Sequence, residues 1–420
     1  MSLRYLPYIS FTIFIFSPLL NANTLTLHQA EAIALQQEPG LISQKFKSLS
    51  LIEKSISDSQ LMDPKIQVAM SNLPTDSFDF NQEPMTQLKI SYLQQFPSGN
   101  TLQLKKEKAE KSAELSKSKI SERKLMILKN VRLSFLEIYY WEQAKKTILQ
   151  NKQLFTQLVD IVQSLFAVGR NNQQDLIRAQ LELSRLDDRL TKIEQKILTQ
   201  RSTLSRWLGS INSQYALADK VPDLPTINLT DDTDTLNKTL LEHPKVSLID
   251  KKIEIVRKNI EIVNESLNPS WGLNVSYGYR GNDASGKYRA DFISAAATFD
   301  LPFFTEKRQD KSRLSKEYEY QSLKNKRLEV IRQLTAEVQQ EIANMAILEK
   351  RKKLYQKHLL PQAKQQSQAS LLAYQSDRGN FSDVMRAYMD DLNANLDAKR
   401  ITIDSRKAQA KILYFSPNLR

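Results

Sequence analysis

Residues 100–168, NTLQLKKEKAEKSAELSKSKISERKLMILKNVRLSFLEIYYWEQAKKTILQNKQLFTQLVDIVQSLFAV, run for 69 positions without a glycine or a proline. The stretch is dense in Lys, Glu, Leu, Ser and Gln and predicts one continuous helix about 100 Å long. It ends at Gly169. A polar turn, Arg170 to Gln173, leads into a second Gly- and Pro-free stretch ending at Leu208. There the apolar residues keep a seven-residue repeat: Leu176, Leu183, Leu190, Ile197 and Leu204 in one row, Ala179, Leu186, Ile193 and Trp207 in the other, broken at Gln200. Two rows offset by three are the seam of a coiled coil. Leu154, Leu158, Ile161 and Leu165 offer a matching row on the preceding helix, so an antiparallel helical hairpin is expected.

The same plan occurs twice along the chain. Pro39, Pro64 and Pro97 are followed by Pro244, Pro269 and Pro302, each 205 residues further on. Proline breaks a helix and pushes its predecessor out of the α region, so both halves break at the same places. In the second half a long helix is expected from Lys307 to Tyr374, with a kink at Pro361. A turn at 376–380 and a return helix from Phe381 to Phe415 follow. The second seam is weaker. Ala387, Ala394, Ile401, Ala408 and Phe415 form one row; Val384, Asp391, Ala398, Ser405 and Ile412 form a partly polar one, which reads as close, wetter packing or as a face turned to water.

Ahead of each long helix the period changes. Residues 27–62 are helical in pattern, with Ala30, Ile33, Ala34, Ile42 and Phe46 as core candidates and Pro39 as an interruption; 240–267, interrupted at Pro244, is the matching segment. Beyond Pro64 and Pro269 the alternation is of period two. Ile66, Val68 and Met70, then Leu88, Ile90 and Tyr92, make one hairpin. Trp271, Leu273, Val275, Tyr277 and Tyr279, then Ile293, Ala295, Ala297, Phe299 and Leu301, make the other. Strands of about nine to eleven residues with a small, polar opposite face fit a tilted transmembrane β-strand. By themselves these residues also fit a sheet half-buried on a soluble domain; the long helical hairpins behind them favour the membrane.

Composition agrees with long elements, since nine glycines and fourteen prolines in 420 residues are too few for the loops of compact domains. Arg4, the apolar run 9–16 and Ala22 read as a signal peptide, 1–22. The absence of cysteine removes disulfides, thiolate metal sites and a lipid-attachment residue. A formal charge of +13 invites nucleic acid, but export and the interleaving of Lys and Arg with Glu and Asp read instead as solvated helix faces. His28, His243 and His358 lack ligand spacing and are expected to be ordinary surface or packed residues; no metal site is expected. No phosphate loop, catalytic triad or carboxylate pair stands out, so neither an enzyme nor a cofactor is expected.

The fold expected is mostly α with a small β portion: a duplicated unit of long coiled-coil helical hairpins plus two β-hairpins. Its divisions are a signal peptide (1–22), a first repeat (23–208, strand hairpin 65–96, helical hairpin 100–208) and a linker (209–237). A second repeat (238–415, strand hairpin 270–301, helical hairpin 306–415) and a tail (416–420) follow. Four strands cannot close a barrel, and lipid tolerates no open sheet edge, so the chain must oligomerise. An extended coiled-coil scaffold leaves the alternating strands unexplained.

This order of elements resembles the outer-membrane efflux proteins of the TolC type, over residues 24–415. The most specific pieces are the hairpin tips, 166–170 with 175–180 and 373–375 with 383–387. Residues 63–78 and 83–86 are similar to the heavy-metal (CusC- and CzcC-like) branch. The resemblance implies a homotrimer whose four-stranded portions complete a transmembrane β-barrel in the outer membrane, with the helical part in the periplasm. It implies a periplasmic adaptor (membrane fusion) protein and an inner-membrane pump of the RND type as partners. Metal cations or small toxic compounds would be the cargo; the exit duct of a type I protein secretion system is the alternative within the class, and a periplasmic coiled-coil scaffold the alternative outside it. Carried over by position, Asp175, Tyr374, Arg378 and Asp383 are the gate residues, and Arg386 stands where a second acid is expected. Val168, Gly169, Arg170 and Gly379 are the adaptor-contact residues.

Overall fold

The computed structural model describes residues 24–169, 172–226, 238–283, 285–376 and 378–415. The signal-peptide segment, Arg170, residues 227–237 and the tail 416–420 lie outside the described residues. Helix α1 (Leu27–Gln37) opens on a reciprocal cap in which Thr26 accepts from the Gln29 amide and Gln29 Oε1 accepts from the Thr26 amide at 2.9 Å. Pro39 and Pro244 interrupt the helical segments as expected, each by standing at the start of a new helix. Pro39 is the first residue of α2 (Pro39–Asp58), where its missing N–H has no partner to lose, and Glu38 caps the turn by accepting from Leu41 N at 2.8 Å. In the second repeat Pro244 begins α5 (Pro244–Glu265), and His243, 205 residues beyond Glu38, caps it through Nδ1.

The long stretch forms α3 (Thr101–Ala167), 67 residues, which turns back into α4 (Gln173–Leu208), 36 residues. The seam of α4 is as the heptads predict: Ala179, Leu186, Ile193, Leu204 and Trp207 are buried, and Leu176, Leu183, Leu190 and Ile197 pack beside them. On α3 the buried row is shifted. Phe155, Leu158, Val159 and Val162 face the core, while Leu154 and Ile161 are each 45% exposed. The ring of Phe155, set edge-on to Tyr388 at 6.2 Å, fixes that rotation.

Ile42 and Phe46 also depart from expectation, at 48% and 64% exposed. The face of α2 that meets α3 carries Leu41, Ser48 and Ser55 against Ala109, Ala113 and Ser116, with Ser48 Oγ donating to Ala113 O at 3.3 Å. Small side chains let the two backbones approach, which leaves no room for bulky ones and turns them outward.

In the second repeat, α6 (Gln309–Leu354) continues through a π turn (Tyr355–Leu359) into α7 (Leu360–Gln375). Pro361 cannot donate to the preceding turn and its ring crowds it. The chain answers by widening, so that Leu360 N donates to Tyr355 O five residues back. Helix α8 (Phe381–Phe415) is not turned to water despite its small, polar seam. Ala387, Ile401, Ser405, Ala408, Ile412 and Phe415 are all buried, because α8 packs on α3, α6 and α7 together. The two repeats meet along a ladder of ion pairs between α3 and α5: Glu107–Lys258 at 2.9 Å, Lys111–Glu254 at 3.2 Å and Glu114–Lys251 at 2.8 Å. Beyond Gly209, whose φ of +81° ends α4, β4 (Ala216–Leu217) pairs in parallel with β1 (Thr24–Leu25) and ties the start of the described chain to the end of the first repeat.

Four strands, β2 (Lys65–Ser71), β3 (Gln87–Phe96), β5 (Ser270–Tyr279) and β6 (Phe292–Asp300), form one antiparallel sheet in the order β2-β3-β5-β6. At seven residues β2 is shorter than predicted, because Asn72 takes a φ of +56° and turns the backbone out of the ladder. No helix among the described residues is long and apolar enough to cross a membrane.

His243 is wholly buried. Its Nδ1 accepts from the Lys245 amide at 3.2 Å, which leaves Nε2 to donate to Tyr414 O at 3.0 Å, and burial pushes the imidazole down to about 4. A group folded in its neutral form gives its full stabilisation above its unfolded value of 6.5 and loses it as pH falls toward about 4. Unfolding measured by circular dichroism between pH 8 and pH 4 is expected to lose roughly 3 kcal/mol through this residue, a loss that His243→Gln removes. Equal pH dependence in the two proteins would refute it.

Candidate functional site

The hydrogen-bond register of the sheet decides which side chains share a face. Met70, Leu88 and Tyr279 lie in one cross-strand row, Val68, Ile90, Tyr277 and Ile293 in the next, and Ile66, Tyr92, Val275 and Ala295 in a third. Phe96, Trp271 and Phe299 form a fourth, with the rings of Phe96 and Trp271 stacked at 4.1 Å. This apolar face is bare: Ile66 and Val68 are each 65% exposed and Ile293 is 80% exposed. The opposite face places Gln67, Ser91, Ser276 and Ser294 in register. Within the chain the outer edges of β2 and β6 have no ladder partner among the described residues. The sheet is thus apolar on one face, polar on the other and open at both edges among the described residues.

At the end of the sheet away from the helices, the two connecting loops are tied together. Arg280 Nη1 donates to Pro84 O at 3.0 Å, and Arg289 Nη1 donates to Asn81 O and Glu83 O at 3.2 and 3.1 Å. Residues 72–86 thus form the closed crown of the first hairpin.

The helical hairpin tips hold the other sequence-predicted residues. Gly169 takes a φ of +75°, and a Cβ added there would meet nothing within 4 Å, so glycine is needed for backbone conformation alone. Space is tight at Gly379: a Cβ there would lie 3.1 Å from Ala373 Cβ and 3.2 Å from Tyr374 N, so a larger residue would push the preceding turn by a few tenths of an ångström. Val168 is exposed beside Gly169. Asp175 sits in the first turn of α4 and Asp383 in the first turn of α8, where a helix favours negative charge. Tyr374 packs its ring against Phe381 at 5.7 Å. Arg378, Gly379 and Asp383 are brought together around a hollow of about 300 Å³ that Arg386 and Asp390 also line. Arg386 stands 4.0 Å from Asp383, a base beside the acid.

Two hydrogen bonds between the return helices of the two hairpins run through residues not expected from the sequence. Arg178 Nη1 donates to Ser382 Oγ at 2.9 Å, and Arg189 Nη2 donates to Asn393 Oδ1 at 3.0 Å. Both pairs are separated by 204 residues, so α4 and α8 run side by side in nearly the register of the repeat. The 205-residue period places each of these two arginines within one residue of its partner, but no other signal in the sequence marks them.

No protein-family model and no curated protein sequence matches the chain. Its structure is similar to that of the outer membrane protein VceC from Vibrio cholerae, with a TM-score of 0.74 at 15% identity over 93% of this chain and 96% of that one. It is similar to the Campylobacter jejuni CmeC outer membrane channel, TM-score 0.77 at 11% identity over 96% of this chain and 90% of the other. CusC, whose structures concern folding and transmembrane channel formation, gives a TM-score of 0.74 at 14% identity over 94% and 95%. The chain has the fold of these outer-membrane proteins and channels, mostly helical with a small β portion. Among the solved chains that share it, VceC is described as an outer membrane protein and OprN and CmeC as outer-membrane channels.

Gly169→Ala is expected to destabilise the first tip locally by about 1 kcal/mol, the cost of a left-handed backbone for a residue with a Cβ. Faster amide exchange over residues 166–176, with α3 protected elsewhere, is the readout; unchanged exchange would remove the requirement for glycine.

Proposed function

We propose that three copies of this chain close their sheets into one twelve-stranded barrel in the outer membrane and act as the exit channel of a tripartite efflux system. The observation that carries this reading is the sheet: four strands, an exposed apolar face, a polar opposite face and two open edges. In hydrocarbon an unpaired strand edge costs several kcal/mol per group, so the edges must meet those of other copies. The helical hairpins would then continue the wall on the periplasmic side.

The bare stripe on α2, Ile42, Phe46, Leu49, Ile52 and Ile56, recurs on one helical face and leads directly into the open edge strand β2. A neighbouring copy covers it in this reading. Phe46→Asp should abolish the heat-modifiable trimer in the outer-membrane fraction while leaving the helical content of the monomer; a trimer that persists counts against the assembly.

The gate lies at the tips, with Asp175, Tyr374, Arg378 and Asp383 in it. The tip residues Val168, Gly169, Arg170 and Gly379 meet the adaptor, which connects to an inner-membrane pump of the RND type. The bonds Arg178–Ser382 and Arg189–Asn393 hold the hairpins at a fixed separation. Because Arg386 lies beside Asp383, the ring at the mouth carries less net negative charge than two acids would and attracts cations weakly. Single-channel recordings should show higher conductance for Arg178→Ala with Arg189→Ala, and likewise for Asp175→Ala and for Tyr374→Phe. Conductance equal to the unaltered channel in all of them would exclude this restraint. Metal cations or small toxic compounds are the proposed cargo, with metals supported by residues 63–78 and 83–86. Loss of resistance to copper, zinc or silver on deletion, without loss of resistance to dyes, tests that part.

A further inference from the structure

The repeat supplies an internal control for one surface. Immediately after the first strand hairpin come Pro97, Ser98 and Gly99; at the same place in the second repeat come Pro302, Phe303 and Phe304. Likewise Leu102 and Gln103 correspond to Lys307 and Arg308, and Lys106 to Lys311. Two small residues have become two aromatic ones and two neutral residues have become cations nearer the sheet, whereas the first repeat carries its cations, Lys105 and Lys106, further along the helix.

Phe303 and Phe304 are 78% and 86% exposed, on the irregular segment between β6 and α6. They extend the apolar face of the sheet, since Phe299 and Leu301 just before them are 59% and 51% exposed. Among the described residues the side chains of Lys307, Arg308, Lys311 and the adjacent acid Glu306 make neither an ion pair nor a hydrogen bond, and Asp310 accepts from Thr305 Oγ1 at 2.9 Å. Bulky rings at the rim of an apolar band, next to unpaired cations, have the chemistry of a membrane interface: the rings enter the acyl boundary and the cations meet phosphate.

We infer that residues 303–311 bind anionic phospholipid at the rim of the sheet nearest the helices, once in each chain and only in the second repeat. The inference rests on the reading of the sheet as a membrane wall. Each unit of positive charge near an anionic surface strengthens partition about five-fold at low salt, and with Glu306 and Asp310 set against the three cations residues 303–311 keep a net charge of +1, which favours a charged headgroup over a zwitterionic one.

Trp271 reports on this place, because it pairs with Phe299 at the same end of the sheet and is 41% exposed, whereas Trp207 is buried and Trp141 packs against the helical core. The full-length protein is reconstituted in phosphatidylcholine vesicles containing equal fractions of chain-brominated phosphatidylglycerol or chain-brominated phosphatidylcholine. The expected result is several-fold stronger quenching by the phosphatidylglycerol, weakened at high salt. Lys307→Gln, Arg308→Gln and Lys311→Gln together should reduce it to the phosphatidylcholine level, and Phe303→Ser with Phe304→Gly, the residues of the first repeat, should lower quenching by both lipids. Equal quenching by the two lipids in the unaltered protein overturns the inference while leaving the membrane wall standing. Quenching by neither lipid removes the membrane wall itself. If Phe303→Ser with Phe304→Gly dissolves the oligomer and leaves lipid preference intact, a neighbouring copy covers the rings and the inference fails.

Discussion

Five other helices pack along α3, and that packing holds the molecule together. Helices α1, α2, α4, α5 and α8 all lie against it, and the surface it offers changes from one neighbour to another. Toward α2 it shows alanines and serines, toward α5 a ladder of charges, and toward α4 and α8 its large apolar side chains, among them Phe155 and Val162. One helix of 67 residues therefore sets the length of the molecule and the positions of both repeats. A proline within it would force a widened or kinked turn like the one at Pro361, and a glycine would cost about 1 kcal/mol.

Buried polar groups fasten the same frame. Glu38 is buried at the start of α2, and the Arg123 guanidinium beside it holds its carboxyl below the usual carboxylate range. Burial would raise the Glu137 carboxyl, but hydrogen bonds from Arg400 at 2.8 Å and Lys407 at 2.6 Å outweigh it and hold it low. Removing either carboxylate leaves a cation without its partner, so these pairs act as register pins more than as sources of net stability. Glu38 and His243 occupy matching positions in the repeats and both cap a helix, yet one joins α2 to α3 by charge and the other joins α5 to α8 as a neutral donor. A duplicated position has kept its local task and changed its tertiary one.

Much of the architecture was legible in the residues. The absence of Gly and Pro gave α3, the heptads gave the seam of α4, and the alternation around Val275 and Tyr277 gave the outward face of β5. The tips were legible only in part. Gly169 was visible as a turn glycine, but Arg178 and Arg189 look like any charged residues on a solvated helix face until the position of α8 is known. Ile42, Phe46, Leu154 and Ile161 show why periodicity falls short: it identifies an apolar stripe, not the surface that covers the stripe.

The order of residues along the chain dictated where helices and strands begin and end, because capping, proline geometry and side-chain period act over a few residues. It also dictated that the unit is used twice. The rotation of each helix, the order β2-β3-β5-β6 and the pairing of α4 with α8 were settled only in three dimensions. Those outcomes depend on which side chains fit together across the interfaces, where small residues admit a close neighbour and large ones exclude it, and that fit is a property of two surfaces at once.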